Sequence, residues 1–117
     1  MSSFEIKIWR FNYNESKGPK LYEVIINFTI PDVDKENESI ILQCANEVAY
    51  VASGIIEEAA NYCGNINESC MTNIQNAVAL ADEEVVEIFH ECLSQLGMPE
   101  EMIHICEVDV FVRESII

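Results

Sequence analysis

The chain has 117 residues, half of them hydrophobic and 23% charged, with 21 acidic residues against 6 basic ones and a formal net charge of −15. That apolar share excludes a disordered acidic tail, and the length suits one compact domain with its own core. No uninterrupted apolar run approaches the roughly 20 residues of a membrane span, and the opening Met1-Ser2-Ser3-Phe4-Glu5 lacks the basic and apolar segments of a secretory signal, so a cytoplasmic location is expected.

Charge is unevenly placed. Residues 1–35 balance five basic groups (Lys7, Arg10, Lys17, Lys20, Lys35) against five acidic ones (Glu5, Glu15, Glu23, Asp32, Asp34). From Glu36 to Val112 there are fifteen carboxylates and no Lys or Arg, and the tail sets Arg113 against Glu114. The single domain, 1–117, is read as a neutral β-hairpin half, 1–35, followed by an anionic helical lobe and last strand, 36–112.

Phe4 to Phe11 alternates with period two, a strand with Phe4, Ile6 and Ile8 on one face and Trp9 and Phe11 on the other. Asn12 to Lys20 carries turn residues, and Leu21 to Ile30 alternates again through Tyr22, Val24, Ile26 and Phe28, completing a hairpin that Pro31 stops. From Ser39 to Cys63, apolar residues recur at three and four, a long amphipathic helix rich in small residues and ending at Gly64. A second helical pattern runs from Glu68 to Leu96, with Gly97 and Pro99 as terminators and a break expected near Asp82, a good N-cap followed by Glu83 and Glu84. Ile103 to Val112 reads as a third strand. The order ββααβ predicts an α+β two-layer domain, a small, mainly antiparallel sheet packed on a helical hairpin.

Few motifs carry chemistry. Asn-Glu-Ser occurs at Asn14, Asn37 and Asn67, and with Asn27-Phe28-Thr29 matches the N-glycosylation pattern. Without a signal peptide, helix capping is the better account of the triplets at Asn37 and Asn67, each just ahead of a predicted helix. Cys44, Cys63, Cys70, Cys92 and Cys106 show no ligand spacing, and their odd number without an export signal predicts reduced thiols. Of the five, Cys63, beside Gly64, is the one expected to be exposed. Glu87-x-x-His90 and Glu101-x-x-His104 match the pattern of carboxylate-bridged di-metal sites, but His104 is expected at the start of a strand, where i and i+3 point apart. No phosphate loop, nucleophile elbow or Cys-His pair is present, so no catalytic, cofactor or metal residue is assigned and no enzymatic function is expected.

Phe4–Asn12 together with Lys20–Val24 resembles the opening hairpin of succinate dehydrogenase iron–sulfur subunits, over less than a fifth of the chain. That family implies a C-x₄-C-x₂-C cluster run next, and none follows, so no family is assigned.

What remains is the acidic surface. Glu84, Glu87 and Glu91 recur at helical spacing after Asp82 and Glu83, with Glu57 and Glu58 late in the first helix, and like charges so spaced weaken a helix mildly. A field of uncompensated carboxylates steers a cationic surface and stands where nucleic-acid phosphates would, while disfavouring nucleic acid itself. The expectation is therefore a small acidic stoichiometric inhibitor of a basic, nucleic-acid-handling protein: an immunity protein or antitoxin against a nuclease toxin, or a phage anti-defence, anti-CRISPR or DNA-mimic protein. Its candidate contacts are Asp82, Glu83, Glu84, Glu87, Glu91, Glu57 and Glu58, with Trp9, Phe11 and Tyr13 as exposed aromatic anchors. The alternative is a non-enzymatic adaptor, a homodimer through a strand edge or the small-residue helix face, or a small-ligand module.

Overall fold

The alternation of the first thirty residues produces a long antiparallel hairpin in which β1, Ser2–Glu15, pairs with β2, Gly18–Ile30. The structure is a computed structural model and describes residues 1–15, 18–61 and 68–115. Two long helices follow, α1 (Lys35–Asn61) and α2 (Glu68–Gln95), then a single turn, α3 (Glu100–Ile103), and the last strand, β3 (Glu107–Glu114). The sheet order is β1-β2-β3, antiparallel throughout, so the protein has the α+β, ββααβ architecture.

The period-two reading fails at one residue. Lys7 pairs with Ile25 and Trp9 with Val24, so Ile8 has no partner and forms a β-bulge. One extra residue inverts the parity of everything after it. Trp9 and Phe11 therefore fall on the same face as Phe4 and Ile6, not the opposite one. Phe11 is buried in the core, and Trp9 packs half-buried against it, as does Tyr13. The even-numbered residues of β2 from Val24 to Ile30 and Val108 and Val110 of β3 complete this inner face.

The helices close over it, α1 against β1 and α2 against β3. Phe28 links the layers: it stacks on Phe4 at 5.0 Å and meets Phe89 of α2 edge-on at 5.1 Å. Asp34 sets the start of α1, its backbone carbonyl accepting from Glu38 N and its Oδ1 from Asn37 N at 2.9 Å. The cap is thus Asp34, and Asn37 is already helical; Asn67 lies outside the described residues.

By length and composition alone α1 would also suit a bilayer, since an 18-residue window within it reaches a mean hydropathy of 1.4. Its Ile41, Cys44, Val48, Ala52 and Ile56 are buried in the core. The second helix runs unbroken through Asp82, because Ala81 and Val85 continue its buried stripe. It ends in a Schellman turn. Gly97 takes φ +92°, its N–H bonds Ser94 O, and Met98 N bonds Leu93 O, with Met98 and Leu93 both buried. The third strand starts four residues later than the alternation suggested, since Glu100 to Ile103 first make a helical turn.

Cys44 and Cys92 form a disulfide between α1 and α2, which corrects the expectation of reduced thiols; Cys70 is disulfide-bonded too, and among the described residues Cys106 is a free, buried thiol. Facing positions on two antiparallel helices, 48 residues apart in sequence, leave no trace in local spacing. Cys63 lies outside the described residues. A bridge closing so long a loop stabilises by about 2–4 kcal/mol. Urea denaturation should therefore show a lower midpoint for Cys44→Ala/Cys92→Ala than for the parent chain, and dithiothreitol should shift the parent towards the variant.

Candidate partner-binding surface

The carboxylates expected to meet a partner are sorted by the two helices. Glu83, Glu84, Glu87 and Glu91 are exposed on α2, and Glu57 and Glu58 are exposed on α1. The disulfide fixes the helix register: Glu57 lies 13 residues beyond Cys44, about 20 Å along the axis, level with roughly position 79 of α2 and about one turn from Glu83. The same register brings in Glu47, which the sequence reading omitted. It is exposed, one turn past Cys44, and its Oε2 lies 3.2 Å from Cys92 Sγ. An isolated Glu in an apolar helix joins the acidic surface only when the neighbouring helix is in place. After Lys35, neither helix carries a Lys or Arg, so the carboxylates have no local counter-charge.

Asp82 does not belong with them. It is half-buried, and its Oδ1 accepts the Val110 N–H at 2.8 Å, satisfying a backbone donor on the outer edge of β3. His90 holds the same edge segment, its Nε2 lying 2.8 Å from Cys106 O. The aromatic anchors are also displaced: Phe11 is core, and Trp9 sits on β1, the far strand from the one α2 packs against. One flat partner therefore does not meet Trp9 and the α2 carboxylates together.

Both histidines line one cleft between α2 and α3, with Glu87, Glu91, Ser94, Glu100 and Ile103. His104 caps α3 and stands 3.8 Å from Glu100, one turn back, so the Glu101-x-x-His104 spacing plays no part. Among the described residues, no three His, Cys, Asp or Glu side chains gather as a metal cage.

Three of the six cations, Lys7, Arg10 and Arg113, collect on the opposite layer, the outer face of the sheet. Glu23, on the central strand, is 3% exposed and lies between Arg10 and Arg113 in the strand register. Lys7 Nζ is 3.2 Å from its Oε2, Arg10 Nε 3.7 Å from the same oxygen, and Arg113 Nε 3.9 Å from Oε1. Arg113 Nη1 also bonds Glu5, at 2.9 Å. The Lys7 contact lacks hydrogen-bond alignment, leaving Glu23 Oε2 buried and without a hydrogen bond. Burial pushes the Glu23 carboxyl up, but the Lys7 and Ser115 contacts and the charges of Lys7 and Arg10 outweigh it, and the group is held below its ordinary value of 4.5. Sequence signals could not show this cluster, because Lys7 and Arg10 are an odd number apart and face the same way only across the bulge.

No protein-family model matches this chain, and no curated protein or solved structure is significantly similar to it.

Two outcomes follow from this geometry. Asp82→Ala should destabilise the fold by about 1.5–3 kcal/mol in denaturant titration, the range for a lost hydrogen bond to a charged group, whereas Glu83→Ala should be nearly neutral. Because the folded Glu23 carboxyl sits below 4.5, its stabilising contribution is complete above that pH and fades as pH falls through the lower folded value. Glu23→Gln should therefore flatten the acid limb of the stability profile below pH 4.5, measured by thermal unfolding across pH.

Proposed function

We propose that this protein is a small acidic stoichiometric inhibitor that covers a basic, nucleic-acid-handling surface on another protein, as an immunity protein or antitoxin does for a nuclease toxin, or a phage-encoded antagonist for a defence effector. The observation that carries this reading is the segregation of charge by layer. Glu47, Glu57, Glu58, Glu83, Glu84, Glu87 and Glu91 stand exposed on two parallel-lying rods with no cation beyond Lys35, in a molecule 49 Å along its longest axis. Like charges at i, i+3 and i, i+4 work against helix stability, so their presence is consistent with use. Such a surface accelerates encounter with a cationic groove and repels nucleic acid, which makes protein the partner. The docking residues in this reading are the helical carboxylates alone; Asp82 and Phe11 serve the fold.

The test is retention of host proteins on the immobilised chain, eluted by short duplex DNA at constant salt. The reading requires that the retained protein is released by the duplex. It also requires that Glu84→Gln/Glu87→Gln/Glu91→Gln, with fold intact or slightly steadier, associates at least about tenfold more slowly at low salt, since charges are screened over about 8 Å at physiological ionic strength. Equal association of the triple variant would reduce the acidic helices to a solvated face.

A further inference from the structure

Of the two half-cystines that join the helices, Cys44 is fully buried in the core and Cys92 keeps 9% of its surface exposed. An incoming reductant therefore meets Cys92 first. At the same opening stands Glu47 of α1, itself exposed, with its Oε2 3.2 Å from Cys92 Sγ. We propose that the Cys44–Cys92 bridge is a redox-sensitive tie between the helices whose opening is selected by the charge of the reductant, with the Glu47 carboxylate as the gate that turns anionic thiolates away.

The chemistry of reduction makes the position of Glu47 count. A thiolate attacks Cys92 Sγ, the S–S bond breaks, and Cys44 Sγ leaves as a thiolate that takes a proton. A second thiolate then attacks the mixed disulfide, releasing the oxidised reductant and the Cys92 thiolate, so two electrons pass from two thiols to the bridge. Both attacks fall on Cys92 and bring negative charge against the Glu47 carboxylate, a repulsion that is strong at low salt and shrinks as ions screen it.

The surroundings add to the repulsion. Glu91, the chain neighbour of Cys92, is exposed, and neither helix has a Lys or Arg beyond Lys35 to draw a thiolate in or to steady the Cys44 thiolate as it leaves. The second helix ends at Gln95, within a turn of Cys92, so the negative end of its dipole lies at the attacked sulfur. The bridge also fixes the register that brings the carboxylates of α1 and α2 onto one surface. Control of that surface by reduction rests on the proposed function; the gate does not, and it is tested on the free chain.

The experiment follows reduction of the full chain at low salt by cysteamine, mercaptoethanol and mercaptoethanesulfonate, whose thiolate forms are zwitterionic, singly negative and doubly negative. Freed Cys44 and Cys92 are trapped by alkylation and mapped by mass spectrometry. Glu47→Gln keeps the shape and removes the charge; it should speed reduction by mercaptoethanesulfonate at least about fivefold, by mercaptoethanol less, and by cysteamine hardly at all. Glu58→Gln removes an equal charge about 16 Å further along α1 and should leave all three rates within about twofold. On the parent chain alone, which decides the matter even if a variant fails to fold, each rate should rise in proportion to thiol concentration, and added salt should speed mercaptoethanesulfonate more than cysteamine. The proposal is overturned if Glu47→Gln speeds all three reagents equally, if Glu58→Gln has the same effect as Glu47→Gln, if the rates do not depend on thiol concentration, or if Cys44 and Cys92 are alkylated without reductant.

Discussion

A single unpaired residue governs the layout of this protein. With Ile8 extruded from the ladder, the first half of β1 gives Phe4 and Ile6 to the core and the second half gives Trp9 and Phe11. With Ile8 paired to Val24 instead, Phe11 would turn to solvent opposite Leu21 while Arg10 turned inward opposite Tyr22, replacing apolar contact by a charge against the core, which is among the costliest exchanges a core can make. Register on one side of the hairpin thus decides both what packs beneath the sheet and what charge stands above it.

The cation cluster above the sheet follows from that constraint. Glu23 occupies the central strand, where its neighbours on both sides are supplied by register, Arg10 from β1 and Arg113 from β3. A buried carboxylate without partners would be strongly destabilising; ringed by Lys7, Arg10 and Arg113 it stays ionised and orders three of the six basic side chains in the chain. The remaining surface is left anionic by default, because no cation after Lys35 is available to the helices.

The helical layer is tied down by different means. The Cys44–Cys92 bridge joins the two helices, the Phe28–Phe89 contact joins them to the sheet, and Asp82 and His90 hold the outer edge of β3 against α2. Asp82 shows how composition misleads: next to Glu83 and Glu84 in sequence it reads as one more surface carboxylate, yet it faces a backbone N–H while they face water.

Local pattern carried the element order, the antiparallel hairpin, the two helices and their buried stripes, because period two and period 3.6 are written in the positions of Val24, Ile26 and Phe28 and of Ile41, Val48, Ala52 and Ile56. The anionic character of Glu36 to Val112 was also legible, since charge is additive along the chain. Contacts between distant segments were not. The bulge depends on which β2 residue each β1 residue meets, the disulfide on two helix faces brought together across 48 residues, and the Glu23 cluster on three strands in register. Each is a relation between positions far apart in sequence, and only the packed tertiary structure fixes such relations.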